Sequence, residues 1–315
     1  MRCVVTGCAG FVGSLLTDRL LRDGHTVVGI DNMSTGREDF LGAARRSPAF
    51  AFHRVDLLDT EALPDLVRGA DIVFHLAANA DVRFGTDHPT RDFEQNARAT
   101  LNVLEAMRTG GVKKIAFSST GSIYGEAREI PTPEFTAIPV QTSLYGASKI
   151  AAESFIEAYC EGFGMQAWIF RFVSLMGERY THGHVVDFVR QLRTHPDRLD
   201  VLGDGTQRKS YLYVDDCIEA IVTALERADA KVNVLNLGHD EYCTVNDSIG
   251  WICARLGVQP KLVYSGGNRG WIGDNPFIFL DCSAMRALGW APTLTIRESV
   301  ERTVDYLRES EPALR

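Results

Sequence analysis

The sequence predicts an α/β fold, a doubly wound parallel sheet followed by a smaller C-terminal α/β lobe, and three observations carry that prediction. Up to about residue 175, short runs rich in Val, Ile and Phe alternate with longer segments of helical periodicity, the pattern of a parallel sheet wrapped by crossover helices. A glycine-rich turn joins the first apolar run to the first helical segment. After Arg171 the alternation gives way to shorter elements. At 315 residues, 45% hydrophobic and 23% charged, the chain has the composition of an ordered protein with room for a large core and one appended unit.

Taken in order, strands are expected at 2–6, 26–30, 51–55, 71–75, 113–118 and 166–172, with helices near 12–23, 60–68, 91–109 and 145–163. Each helix has about the length a right-handed crossover between parallel strands needs. A helix near 184–194, strands near 199–202 and 211–214 and a helix near 215–227 follow, then short strands mixed with helices near 244–256 and 295–308. The strands near 211–214 and 232–237 are expected to return to the main sheet. The expected division is therefore 1–173 with returning segments at about 209–240 for the first domain, and 174–208 with 241–315 for the smaller lobe.

A formal charge of −8 argues against a phosphate-backbone binder, so nucleic acid is not an expected partner. Met1 to Gly7 runs directly into an apolar stretch too short for a signal peptide, and no run of about 18 apolar residues follows. These features predict a cytoplasmic protein with no membrane partner. Seven cysteines without C-x-x-C spacing fit reduced thiols better than a disulfide frame or a zinc site, so no metal is expected.

Directly after the first strand stands Thr6-Gly7-Cys8-Ala9-Gly10-Phe11-Val12-Gly13. Glycines at Gly7, Gly10 and Gly13 permit a tight turn, close approach of backbone to a pyrophosphate, and close packing of helix on strand. The string alone suits any glycine-rich turn; its place between strand and helix points to a dinucleotide-binding Rossmann unit. Asp31 ends the second strand, where a carboxylate meets the adenosine ribose hydroxyls and repels a 2′-phosphate, which favours NAD over NADP. Asn32, Ser34, Thr35 and Gly36 place polar groups near the same ribose, and Asp56 is placed to meet the adenine amino group. A loop-capping role for Asp31 and a helix N-cap role for Asp56 stay open.

Tyr145-Gly146-Ala147-Ser148-Lys149 sets a phenol and an ammonium one helical turn apart. A lysine beside a tyrosine is expected to lower the phenol pKa from about 10 and make it a general base near neutral pH. Ser118-Ser119-Thr120-Gly121-Ser122 follows the strand at 113–118 and crowds hydroxyls at the carboxyl edge of the sheet, where doubly wound folds bind ligands. A tyrosine and lysine at this spacing are also a common surface pair; the glycine turn and the hydroxyls favour the catalytic reading.

With these features in place the chain resembles the extended short-chain dehydrogenase/reductases of the NAD-dependent nucleotide-sugar epimerase and dehydratase family. The resemblance rests on Thr6 to Gly13, Asp31-Asn32 with Ser34-Thr35-Gly36, His75-Leu76-Ala77-Ala78, and Asn96 with Asn102 to Ala106. It continues through Ser118 to Gly125, Tyr145 to Lys149, Leu202 to Gly205, Val214-Asp215-Asp216 and Gly289-Trp290, in family order over nearly the whole length. It implies that Tyr145 is the base, that Lys149 holds the nicotinamide ribose, and that Thr120, 25 residues before Tyr145, binds the reacting oxygen. It adds Phe11, Val12, Leu57, Leu76, Ala77, Ala78, Asn96, Ser118 and Val173 to the cofactor contacts.

Within that family, dehydratases resemble this pattern but carry Asp-Glu after the position of Thr120, and decarboxylases carry Glu at the position of Ser122. Gly121 and Ser122 supply neither acid nor base. Epimerisation at the sugar C4 of a UDP-hexose, through a transient 4-keto intermediate, is therefore the expected reaction. A dehydratase or 4-ketoreductase of the same family, or a non-catalytic dinucleotide-binding protein, are the alternatives. UDP-glucose, UDP-N-acetylglucosamine and UDP-glucuronate are the expected substrates. Arg269 and Asp274 resemble the segment that holds the diphosphate and ribose, and Arg208 and Lys209 a second phosphate-binding segment, with lysine where arginine is usual. Ser174 resembles the uronic-acid epimerases. Arg83, Gly121, Ser122, Arg179, His184, Val185 and Leu202 complete the expected substrate contacts, with His182 and His184 read as polar loop residues rather than metal ligands. By analogy with the family, the helices near 91–109 and 145–163 are expected to form a homodimeric four-helix bundle.

Overall fold

In the computed structural model, which describes residues 1–79, 87–270 and 274–310, Cys3, Val4 and Val5 have no exposed surface. Their strand, β1 (Arg2–Thr6), is covered on both faces, which is why it reads as an unbroken apolar run. It is followed by β2 (Thr26–Asp31), β3 (Phe50–Arg54), β4 (Ile72–His75), β5 (Lys114–Thr120) and β6 (Gln166–Phe172). Past these, β7 (Ser174–Met176), β8 (Arg198–Val201), β9 (Arg208–Lys209) and β10 (Tyr211–Tyr213) lie outside the main sheet, and β11 (Val232–Leu237) returns to it. The seven strands stand in the order β11-β6-β5-β4-β1-β2-β3, with the pairings from β5 across to β3 parallel. The order reverses between β1 and β4, so the chain leaves their carboxyl ends in opposite directions and opens a crevice there.

The crossover helices bury one side against this sheet. Val103, Leu104 and Met107 of the helix Ala99–Gly110 and Ile156 of the helix Leu144–Phe163 pack with Val4, Val73, Ile115, Phe117 and Ile169 in one core cluster. Ser143 caps Leu144–Phe163 by accepting from Gly146 N at 3.0 Å, and left-handed Gly164 ends it. Expected strand limits fall within two residues of those observed. The helix expected at 60–68 is only Leu63–Val67, because Pro64 belongs in a first turn and not in a helix interior. The helix expected at 91–109 starts at Pro89 and widens to a π-helical stretch, Phe93–Arg98, before Ala99–Gly110. The strand near 211–214 does not return to the main sheet: β11 fills the place beside β6, and β10 pairs parallel with β7.

The chain divides into two compact units, the first comprising Met1–Ile123, Ser143–Arg171 and Ile221–Leu235, the second Tyr124–Thr142, Phe172–Ala220 and Asn236–Arg315. Tyr124–Thr142, placed with the first domain from sequence, is tied into the second by Asn236. That side chain accepts from the Tyr124 hydroxyl at 2.8 Å and donates to Thr132 O at 2.9 Å, while its N–H donates to Glu134. The second unit further holds β12 (Cys243–Thr244), β13 (Lys261–Tyr264) and β14 (Phe277–Ile278), and the helices Val245–Leu256 and Ile296–Glu309, each opened by a capping box. All seven cysteines are free thiols. No helix among the described residues is long and apolar enough to cross a membrane.

Candidate active site

The crevice between β1 and β4 is lined by the glycine turn. Gly7 has φ 72°, and a Cβ built there would lie 2.7 Å from Ala77 N; one at Gly13 would lie 2.0 Å from Gly7 O. Neither position tolerates a side chain, so the backbone of this turn is bare, the condition that close approach of a pyrophosphate requires. Gly10 caps the helix Phe11–Arg22 without a side-chain acceptor, leaving the positive dipole end and the first-turn segment of Phe11 and Val12 facing that space.

Asp31 is buried and bridges the turn: one carboxylate oxygen accepts from Ala9 N at 3.0 Å, the other from Met33 N at 2.8 Å. Its loop-capping role is thus real, and about two further lone-pair sites remain for ribose hydroxyls. A Cβ at Gly36 would stand 2.8 Å from that carboxylate. Asn32 accepts from Ser34 N and donates to Asp56 at 2.9 Å, and Asp56 accepts from Leu58 N at 2.9 Å, a local turn rather than a helix cap. Ser34 and Thr35 are exposed; Leu57 is buried, its carbonyl accepting from Asn102. Leu76, Ala77 and Ala78 leave the end of β4 half-buried, with Leu76 N and Ala77 N donating to Thr6.

Thr120, Tyr145 and Lys149 come together at the carboxyl end of β5. The Thr120 hydroxyl donates to the Ser122 hydroxyl at 3.2 Å and accepts from Ser122 N at 3.1 Å, and it is close enough to the Tyr145 phenol to act on its ionisation. Lys149 is almost fully buried, its ammonium 4.2 Å from the Phe117 ring centroid. The expected depression of the phenol pKa is not found in the protein alone. Burial pushes Tyr145 up to about 12, with the Thr120 bond pulling the other way and Asp92 adding to the rise. Burial likewise lowers Lys149 to about 7, opposed by Glu153. Ser118 is half-buried, 3.4 Å from His75 O, and Gly121 opens a 3-10 turn that carries Ser122.

Behind these groups runs a buried polar chain in which the sequence assigns a role to Asn96 alone, as a cofactor contact, and none to Thr6, His75, Thr100 or Ser148. His75 lies 2.8 Å from the Thr6 hydroxyl through Nδ1 and 2.9 Å from the Thr100 hydroxyl through Nε2. Thr100 donates to Asn96 O, Asn96 donates to the Ser148 hydroxyl at 2.9 Å, and Ser148 donates to Tyr145 O. Because Thr100 spends its proton on Asn96, His75 must carry its own on Nε2 and accept from Thr6. Burial, and then Lys149, hold its pKa down to about 3, so the ring is neutral. Asn96, aimed by the π-helical stretch, also accepts from Asn79 N at 2.8 Å. Thr6, His75 and Asn96 stand in motifs that the sequence shows, but nothing local in the sequence links them into one chain.

In the second unit Lys209 donates to Asp274 at 2.8 Å and to Asn275 O, and Asp274 also accepts from Gly270 N at 2.9 Å. Arg269 pairs with Glu126 on the surface. Arg208 lies 3.9 Å over the Phe277 ring. His184 is stacked on Tyr211 at 4.6 Å and sits 2.8 Å from the Ser248 hydroxyl; burial, and then Lys209, lower its pKa to about 3. Val185 is buried, Leu202 exposed. Val173 is buried and donates to Leu237 O, Ser174 opens β7 with its side chain exposed, and Arg179 adopts φ 61°. Arg83 lies outside the described residues.

The family model described as the NAD dependent epimerase/dehydratase family matches residues 3–238. The UDP-glucose 4-epimerase of Mycolicibacterium smegmatis is 32% identical over 315 residues, 98% of this chain and 99% of its own. A crystal structure of a UDP-galactose 4-epimerase has a TM-score of 0.88 and 38% identity, covering 98% of this chain and 99% of that one. The Bacillus cereus UDP-glucuronic acid 4-epimerase, solved with UDP-glucuronic acid and NAD, has a TM-score of 0.89 at 28% identity, over 98% and 99% of the two chains. NAD is the cofactor that the bare glycine turn and Asp31 suit. A family match over most of the length, and relatives similar from end to end, place the chain in the NAD dependent epimerase/dehydratase family.

Proposed function

We propose that this protein is a UDP-hexose 4-epimerase that works through a transient 4-keto sugar. The observation that carries the reading is the buried Tyr145 phenol, which the Thr120 hydroxyl acts on to lower its pKa, with Lys149 one helical turn on, next to Gly121 and Ser122, which bring no acid or base. NAD, held by the glycine turn and Asp31, would supply reversible hydride acceptance at the sugar C4. Tyr145 takes the C4 hydroxyl proton and gives it back, Thr120 donates to the reacting oxygen, and charged Lys149 favours the phenolate. One proton at one phenol is enough for that reaction. Dehydration would need a further acid and base, and the hydroxyl segment offers none.

The names of the similar proteins support a UDP-sugar; Ser174 resembles the uronic-acid epimerases, but Arg179 to His184 stands where those enzymes have an arginine-rich loop. Asp274, Lys209, Arg208 and Arg269 are the proposed anchors of the diphosphate and ribose; Lys209 and Arg269 must exchange Asp274 and Glu126 for the substrate. The proposed cofactor contacts are the glycine turn, Asp31, Asn32, Ser34 to Gly36, Asp56 and Leu57, Leu76 to Ala78, Asn96, Ser118 and Val173. We also propose a homodimer: Phe93, Leu144, Phe155 and Phe163, on or beside the two long helices of the first unit, are exposed large apolar side chains.

The test is incubation with UDP-glucose, UDP-N-acetylglucosamine or UDP-glucuronate and trace NAD, read by NMR of the anomeric protons. Interconversion of two C4 isomers without net cofactor turnover is expected. A keto or enol-ether product, or stoichiometric NADH consumption, would replace the epimerase with the dehydratase or the reductase.

A further inference from the structure

Lys149 has a carboxylate one helical turn beyond it, Glu153, and both side chains are almost completely buried. Glu153 is clamped from two strands at once. Ser119, the residue before Thr120 on β5, donates to it, and Arg171 on β6 holds it through Nε at 3.2 Å and Nη2 at 2.7 Å. A buried ion pair of this kind costs desolvation that an apolar pair would not, so its presence beside the reacting residues calls for a role. We propose that Glu153 is a positioning residue whose clamped carboxylate keeps the buried Lys149 ammonium charged and aimed along the helix face it shares with Tyr145. The inference rests on the reading of Tyr145 and Lys149 as the reacting pair.

The other groups around Lys149 do not take this part. His75, from β4, is neutral and committed to Thr6 and Thr100. β5 presents the Phe117 ring, which favours a cation but carries no charge. Tyr145, on the same helix, is a protonated phenol at neutral pH, and Asp92 acts on that phenol. Arg171 faces Glu153. Glu157, one turn further, has its pKa raised by burial and by Glu153 itself. Glu153 is the group that opposes the neutralisation of Lys149. At the same time its bonds to β5 and β6 set the register of the helix against Thr120.

The experiment follows Lys149 directly in the NAD-bound protein, by the pH dependence of its side-chain carbon shifts; the chain has six lysines, and Lys149→Met assigns the signal. The wild-type midpoint is expected at or above about 7. In Glu153→Gln it should fall by about 1 to 3 pH units, and the alkaline limb of kcat/KM should move down with it while activity at the acid end stays within a few-fold. Because Glu153→Gln strands the Arg171 charge and risks misfolding, the double variant Glu153→Gln with Arg171→Gln removes both charges and should shift the same way, by less. A wild-type Lys149 already neutral at pH 6 overturns the proposal. So does an unmoved midpoint in a folded variant, or a loss of activity equal at every pH. If the midpoint shifts as expected but no UDP-sugar turns over, the placement of Glu153 stands and the epimerase reading falls.

Discussion

To serve as the base proposed for it, Tyr145 needs help, because burial alone keeps its phenol protonated well past neutral pH. Thr120 pushes the other way, and a charged Lys149 and the positive ring of oxidised NAD would add to it. Tyr145→Phe is therefore expected to cut turnover by about 10² to 10⁴-fold, while absorbance and fluorescence still report bound NAD. Near-full activity in that variant would assign the base elsewhere. Tyr145, Lys149 and Thr120 were legible because their spacing is local or follows one strand. The partners of Asp274 and Arg269 were not, since Lys209 and Glu126 are 65 and 143 residues away along the chain.

At the scale of elements, the strand, turn and helix from Arg2 to Arg22 form one device whose fit depends on two missing side chains. Gly13→Ala puts a methyl 2.0 Å from Gly7 O, a contact relieved only by moving backbone. The expected result is a loss of about 1 to 3 kcal/mol in chemical denaturation together with loss of co-purifying NAD. Unchanged NAD content would show that the pyrophosphate does not use this turn. The π-helical stretch Phe93–Arg98 is expected from sequence as ordinary helix, because apolar spacing marks a helical segment without reporting whether its hydrogen bonds close over four residues or five. Its consequence is tertiary: it aims Asn96 at Ser148 and Asn79.

For the whole molecule, buried thiols dominate the alkaline behaviour. Burial raises Cys3 and Cys160 to about 11 and Cys243 and Cys282 to about 12, and lifts Cys8 and Cys217 further. A thiol with a raised folded pKa contributes stability that is whole below its unfolded value of 9.0 and is lost as pH rises beyond it. Lys149, lowered to about 7, and Lys209, also lowered by burial, act in the opposite sense as pH rises toward 10.5, two groups against the seven thiols that burial raises, Cys253 included. The melting temperature under reducing conditions should hold from pH 7 to 8.5 and fall between pH 9 and 11, each thiol contributing up to about 1.4 kcal/mol per pH unit. A flat profile through pH 10.5 would contradict it. Light scattering at micromolar concentration should give twice the chain mass; a monomer would leave Phe155 and Phe163 without a partner surface.

By itself the sequence determined the order and type of nearly every element of the sheet, the glycine turn and the placing of Tyr145 and Lys149 on one helix face, because each is written in neighbours along the chain: apolar period, glycine spacing, one helical turn. Tertiary structure decided what distance along the chain conceals. It placed β11 rather than β10 beside β6, moved Tyr124–Thr142 into the second unit through Asn236, and gathered His75, Thr6, Thr100 and Asn96 into one polar chain. It also reversed the expected direction of the Tyr145 pKa. The physical reason is common to all of these: burial and long-range hydrogen bonding depend on which segments meet, and local patterns carry no record of that.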